Sequence, residues 1–286
     1  MHYADYKTIL SPKNGMNIYR GCSHGCIYCD SRSKCYQIDH DFEDILIKRD
    51  APEILDDQLR RRRNKSMIST GAMTDPYIHL EEKLGYMRSC LEVIEKNGFG
   101  ICILTKSDRI LRDLDILKKI NKKTKCVVQM TLTTYDEELC KIIEPKVSTT
   151  KERVEALKKF SKEKIPTVVW LGPFLPFITD SEENFKGILD YCIEARVSGI
   201  ICFGIGMTLR EGNREYFYEK LDQHFPGIKE KYIKKYGNSY NIGIDNYSKF
   251  YKYLEQTCKK HGILLHAQAF EFMNKFESKV GQMSLF

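Results

Sequence analysis

The sequence predicts an α/β protein: a partial (β/α)6 barrel with a mainly helical C-terminal extension. Three observations carry this. Short β-branched runs alternate with amphipathic stretches of helical period, the signature of repeated βα units on a parallel sheet. Six such units fit before residue 206, too few for the closed eightfold barrel. Beyond residue 207 the pattern is helical and rich in Lys and Tyr. In chain order, 16–19 is short and extended and leads into a cysteine-rich loop. "SMIST" (66–70) reads as a strand and 81–97 as the helix behind it. "ICILT" (101–105) is a buried strand, with 109–120 as the next helix. "CVVQMTL" (126–132) is followed by a helix over 151–164, opened by the Ser/Thr cluster at 148–150. "TVVWLG" (167–172) is a strand, and 182–195 is a helix after the turn-and-cap stretch "TDSEE". "GIICFGI" (199–205) is the last apolar strand. The expected organisation is a barrel over 1–206, a helical extension over 207–281 packed on it, and a short tail over 282–286.

Composition narrows the class. The chain has 286 residues, 42% hydrophobic, enough for a substantial core. No apolar run is long enough to span a bilayer. The opening "MHYADYKTIL" lacks the apolar core of a secretory signal, so a cytoplasmic location is expected. There the 11 cysteines are reduced thiols, and closely spaced ones are metal ligands sooner than disulfides. A formal charge of +7 permits a polyanionic partner without demanding one.

Cys22, Cys26 and Cys29 form a C-x3-C-x2-C pattern in "NIYRGCSHGCIYCDS" (17–31). Three thiolates on one short loop can hold three irons of a cubane [4Fe–4S] cluster and leave the fourth iron open to chelate a substrate. Gly21 and Gly25 let the backbone wrap tightly. The loop follows the first strand, at the strand C-terminal end where βα barrels place their active sites. The alternative is a structural zinc site with Cys35 or His24 as fourth ligand, although such sites use two ligand pairs and no second CxxC is present. Cys35 itself reads as a free thiol sooner than a cover for the cluster.

This cysteine pattern, with Tyr28 before its last cysteine and a partial barrel around it, resembles the radical S-adenosylmethionine superfamily. Further blocks narrow the likeness: "GAMTDPY" (71–77), "LTKSDRILRDLDIL" (104–117), "TLTTYDEELCKIIEPK" (131–146), "RVEALKKF" (153–160) and "FPGIKEKYIKKYG" (225–237) resemble the spore photoproduct lyase-like family. The resemblance implies a [4Fe–4S] cluster on Cys22, Cys26 and Cys29, and S-adenosylmethionine bound at its open iron. One electron then cleaves the sulfonium C–S bond, and the 5′-deoxyadenosyl radical takes hydrogen from a nucleic-acid or nucleotide substrate, as in DNA lesion repair. Tyr28 would lie near the adenine, and Thr74, Lys106 and Thr131 would contact the methionyl group. Arg153 would reach the methionyl carboxylate or pair with Glu144, and Gly204 would let the last strand approach the cofactor. An electron donor such as flavodoxin or ferredoxin follows from the same chemistry.

One position departs from the family. The cysteine that returns hydrogen in the lyase aligns with Ala72, which cannot donate, so lyase activity by that route is doubtful. Tyr77, Cys90, Cys102 and Cys126 are substitute candidates, with the cysteines reading foremost as small core residues. The end of the chain, Gln282-Met283-Ser284-Leu285-Phe286, resembles the short peptide by which bacterial repair proteins dock on the sliding clamp. An extended tail of this kind would present Leu285 and Phe286 to an apolar pocket, with Gln282 supplying a directed hydrogen bond. Basic runs at 60–65 and 118–125 read as solvated or helix-terminal charge. The Lys/Tyr stretch at 229–254 suits phosphate contact and base stacking. His266 and Gln268 read as a buried pair in a strand-like piece. Two other functions stay open: a radical enzyme acting on a peptide, RNA base or small metabolite, and a non-catalytic iron–sulfur redox sensor.

Overall fold

Seven strands build one all-parallel sheet in the computed structural model, which describes residues 1–202 and 204–279. The strands are β1 (Gly15–Met16), β2 (Met67–Thr70), β3 (Gly100–Thr105), β4 (Cys126–Leu132), β5 (Thr167–Leu171), β6 (Gly199–Ile201) and β7 (Leu264–Leu265). Their spatial order is their chain order, and each pairs in parallel with the next. The crossovers are α1 (Ala51–Arg60), α2 (Tyr86–Lys96), α3 (Leu114–Lys123), α4 (Thr150–Lys162) and α5 (Glu182–Glu194). The extension adds α6 (Asn213–His224), α7 (Ile228–Tyr236), α8 (Tyr247–His261) and α9 (Ala267–Asn274). This is the expected partial barrel, with one strand more than the sequence reading counted.

Local chemistry explains most boundaries. Thr149 caps α4 in a capping box: its hydroxyl accepts from the Glu152 amide, and its own amide donates to the Glu152 carboxylate at 2.7 Å. The expected helix at 81–97 breaks at Gly85, whose φ of +64° ends Glu81–Leu84 and starts α2. The helix expected at 109–120 begins instead as a 3₁₀ turn, Asp108–Asp113, before α3. The expected first strand splits: Gly15–Met16 joins the main sheet, while Tyr19–Arg20 pairs antiparallel with Leu46–Lys48 in a separate three-stranded sheet.

All seven residues of β4 are buried, because the sheet is covered on both faces. On the outer face Ile68, Ile103, Val128 and Val169 pack with Leu91, Leu117 and Leu157 of the crossover helices. On the inner face Met67, Cys102, Val127, Val168 and Ile201 pack with Ala269 and Met273 of α9. A Cβ on Gly199 would come within 2.9 Å of the Ala269 Cβ, so glycine there permits the close approach. Lys125, which leads into β4, is 2% exposed and donates to Phe272 O at 2.7 Å and to Glu277 at 2.6 Å. The extension is thus part of the barrel: β7 extends its sheet and α9 fills the lower half of its interior. The upper half is left to Leu104, Gln129, Thr131 and Trp170. The Trp170 indole donates to Gln129 Oε1 at 2.6 Å.

The basic runs are largely absorbed by packing. Lys118 pairs with Glu163 and Lys123 with Glu95, in addition to the buried Lys125. Arg60 pairs with Asp56, and the Lys65 ammonium lies 4.5 Å from the Phe99 ring centroid.

Because α9 acts as a plug, Met273→Ala is expected to lower unfolding free energy by about 2–4 kcal/mol. Phe270→Ala, at a side chain 48% exposed, should change it by less than about 0.5 kcal/mol. Urea unfolding of both variants checks the contrast.

Candidate active site

The cysteine loop is held from three sides. At its start, Gly21 adopts φ +81°, and a Cβ there would meet Phe42 O at 2.4 Å; the Cys22 amide donates to the same carbonyl at 2.8 Å. In its middle, the Ile27 amide donates to Ile143 O at 3.0 Å, and the Lys146 amide to His24 O at 3.1 Å. Gly25, at φ +73°, lies against Pro145. From above, the extension closes a second core in which Cys26, Ile27 and Tyr28 pack with Met207, Leu209, Phe217 and Tyr232.

Asp75 ties the turn after β2 to the end of β3. Its carboxylate accepts from the Tyr77 amide at 2.8 Å, the Thr105 hydroxyl at 2.7 Å and the Lys106 amide at 2.7 Å. Its second oxygen lies 3.5 Å from His24 Nδ1, so the carboxylate also reaches the cysteine loop. Burial holds the His24 imidazole below its ordinary pKa, against the opposing pull of Asp75. The other ring nitrogen, Nε2, is buried without a hydrogen-bond partner among the described residues.

The end of β4 carries a second anchor. The Tyr28 hydroxyl donates to Glu144 and lies 3.1 Å from Thr133 Oγ1. Glu144 is paired in turn with Arg153, and both side chains are fully buried. Arg153 also donates to Thr131 O at 2.6 Å and to Cys140 Sγ at 3.1 Å. Burial opposes the charge on Glu144, but Arg153 and Lys106 outweigh it and hold the carboxyl below its usual range. The Lys106 ammonium stands 5.6 Å from the Tyr28 ring centroid. Burial works against its charge too, and Cys26, Glu144 and Cys29 outweigh it, raising its pKa.

The sequence-derived candidates sort clearly. Cys22, Cys26, Cys29, Tyr28 and Lys106 meet at one place, and Thr74 lies buried in the neighbouring turn, next to Asp75. Thr131 lies on the inner strand face with Val127 and Gln129, since Cys126, Val128, Met130 and Leu132 face the helices. Arg153 does not reach into the mouth: its guanidinium is spent on Glu144, Thr131 O and Cys140. Tyr77 is fully buried and turns its hydroxyl to Asp113 at 3.1 Å. Cys90 is inside α2, and Cys126 opens β4 at the end opposite the cysteine loop. Cys102 bonds Met273 O of the plug at 3.0 Å. These positions correct the expectation that Tyr77, Cys90 or Cys126 serves as a hydrogen donor at the mouth. Gly204 is exposed after β6, which ends at Ile201, and a Cβ there would meet nothing within 4 Å. Cys35 is exposed and accepts from Arg210 at 3.1 Å. His266 stacks on Tyr251 at 5.4 Å and accepts from the Cys202 amide, while Gln268 is exposed, so the two are not a buried pair. Gln282, Met283, Leu285 and Phe286 lie outside the described residues.

The donor set fits an iron–sulfur cluster. Three thiols share one loop, Cys22 and Cys26 are buried, and a lysine charge stands beside them. Burial pushes the Cys22 thiol up to about 12, with Asp75 and Cys29 adding to it while the His24 and Asp75 amides favour the thiolate; burial raises Cys26 as well. Binding iron is what deprotonates such thiols. Among the described residues no three His, Cys, Asp or Glu donors converge closely enough for a single ion; a cubane, which takes one thiolate per iron, needs wider spacing.

Comparison with known proteins agrees with this arrangement. The model of the radical SAM superfamily matches residues 16–219. The uncharacterized protein Rv2578c of Mycobacterium tuberculosis is 28% identical over 227 residues, covering 77% of this chain and 66% of its own length. The chain thus spans slightly under two thirds of that relative. The uncharacterized protein MJ0683 of Methanocaldococcus jannaschii is 27% identical over 263 residues, covering 90% of each chain. A point mutant of spore photoproduct lyase superposes with a TM-score of 0.63 at 13% identity, covering 87% of this chain and 74% of the other. The same enzyme complexed with dinucleoside spore photoproduct gives 0.60 at 14%, with the same coverage. At these identities the likeness is one of fold.

Glu144→Gln leaves Arg153 buried without its counter-charge, and is expected to cost about 3–5 kcal/mol of stability. The depressed carboxyl of Glu144 stabilises the fold fully above its unfolded pKa of about 4.3, and this contribution is lost as pH falls through the lower folded value. Denaturant unfolding followed from about pH 6 downward through the unfolded value of about 4.3 should show a shallower acid loss in Glu144→Gln than in wild type.

Proposed function

Because this chain belongs to the radical SAM superfamily, we propose that it is an enzyme that cleaves S-adenosylmethionine reductively and abstracts hydrogen from a nucleic-acid or nucleotide substrate. In this reading Cys22, Cys26 and Cys29 hold a [4Fe–4S] cluster. The observation that carries it is the convergence of three cysteines, Lys106 and Tyr28 at the C-terminal mouth of a parallel sheet whose lower half is plugged. Cluster and S-adenosylmethionine together supply one-electron cleavage of a C–S bond, and with it a radical able to take hydrogen from an unactivated carbon.

The chain's own residues do the rest. Lys106 offsets the negative charge of the thiolates next to it. Tyr28, fixed through its hydroxyl to Glu144 and Thr133, forms a rigid wall of the mouth. Asp75 locks the Thr74 turn to Lys106, so both keep their place relative to the loop. The plug limits access to the strand C-terminal end, which restricts water around a reactive radical. The nucleic-acid class is supported by the fold shared with an enzyme solved with a dinucleoside photoproduct. Ala72 leaves the chain without a thiol at the lyase's donor position, so the product radical is closed by a different donor.

Anaerobically reconstituted protein with S-adenosylmethionine and dithionite should form 5′-deoxyadenosine, and Cys26→Ala should reduce this to background. Failure to form it with an intact cluster contradicts the enzymatic reading. With deuterated DNA or deuterated nucleotides, deuterium should appear in 5′-deoxyadenosine; its absence from both, while a peptide or metabolite donates it, contradicts the substrate class.

A further inference from the structure

A cavity of about 250 Å³ opens beside the cysteine loop, on the small sheet that leads into it. It is lined by Tyr6, Arg20, Tyr36, Lys48, Met73 and Thr74, among others. Two of these are cations placed by strand geometry. Tyr19–Arg20 pairs antiparallel with Leu46–Lys48, with Arg20 opposite Leu46, so the two-residue period puts Arg20 and Lys48 on one face.

Among the described residues neither cation has an acidic partner. Lys48 is 9% exposed, and its ammonium lies 4.6 Å from the Tyr6 ring centroid. Among the described residues it has no carboxylate within ion-pair distance. Among the described residues Arg20 donates only to the carbonyls of Tyr36 and Gln37, each at 3.1 Å. Three acids close to these strands in the chain pair with other groups: Asp44 with the N-terminus and His2, Asp5 with Arg49, and Glu43 with Arg32. Burial and the nearby Arg20 lower the Lys48 pKa to about 8. A buried lysine kept next to an arginine with no counter-charge is costly unless an anion completes the site.

We propose that this cavity is the phosphate subsite of the substrate, with Lys48 and Arg20 binding a nucleotide phosphate and Tyr6 and Tyr36 flanking the attached nucleoside. A guanidinium fork and a point ammonium together match phosphate oxygens. The tyrosine rings offer faces for a base. Thr74 lines the same cavity and belongs to the turn that Asp75 fastens to Lys106, which makes the subsite continuous with the cluster side of the mouth. A phosphate held here sets the attached nucleoside at the reactive end. The proposal rests on the nucleic-acid or nucleotide reading above and adds the residues that would enforce it.

The test uses the full, cluster-reconstituted protein and a short fluorescein-labelled single-stranded oligonucleotide, read by anisotropy. Competitors are thymidine 5′-monophosphate, thymidine, inorganic phosphate and unlabelled oligonucleotide. Lys48→Met and Arg20→Met should each weaken oligonucleotide binding about tenfold or more. Lys48→Arg should restore most of it. Iron content should be equal in all variants. Competition by the monophosphate but not by thymidine supports the subsite for free nucleotides. Competition by the oligonucleotide alone, with the Lys48→Met loss intact, supports it for strand phosphates. Wild-type binding that both methionine variants retain overturns the subsite and leaves the substrate class standing. Binding by wild type of neither oligonucleotide nor nucleotide overturns both.

Discussion

The buried pair of Glu144 and Arg153 holds the site together. Neither charge has access to water, so each depends on the other and on the hydrogen bonds around them. Arg153 comes from α4 and bonds the carbonyl of Thr131 on β4, while Glu144 accepts from Tyr28 in the cysteine loop. A single ion pair therefore joins a strand end, a crossover helix and the loop that carries the thiols. Lys106 adds a second cation on the same side. The negative charge of Glu144 serves structure, and the lysine remains available to the thiolates.

A second constraint acts from below. In a partial barrel the interior must be filled or it floods, and here α9 does the filling. Gly199 permits its approach, Met273 occupies the space among the strands, and Lys125 fastens the segment beyond it through Glu277. With the lower half packed, the strand ends form the working surface. The same extension contributes α6 and α7 to the small core over Cys26 and Tyr28. Plug and cover come from one stretch of chain, so the extension and the cysteine loop are mutually dependent.

Much of this was legible in the sequence, for physical reasons. Parallel strands buried on both faces leave uninterrupted apolar runs, so β3, β4 and β5 announce themselves. The cysteine spacing suits three irons of a cubane cluster and is readable without any fold knowledge. The two residues of β7 carry no such signal: Leu264 and Leu265 are a strand only because β6 offers an edge to pair with. Arg153 illustrates a different limit. Its sequence context suits a ligand role and an ion pair equally, and only the position of Glu144 decides between them. Tyr77, Cys90 and Cys126 offer donor chemistry in the sequence, and burial turns each toward the core. Lys48 and Arg20 carry no signal in the sequence, because lysine and arginine are common on surfaces; their interest lies in the carboxylate that each lacks among the described residues.

In the function proposed for this chain, three cysteines leave one iron of the cluster open for S-adenosylmethionine. Electron–nuclear double resonance on the reduced cluster, with S-adenosylmethionine labelled by ¹⁵N at the amino group and ¹⁷O at the carboxylate, tests it most directly. Hyperfine coupling from both labels is expected. Absence of coupling from both labels together with a nitrogen signal from His24, or zinc in place of iron after oxygen-free purification, would contradict it.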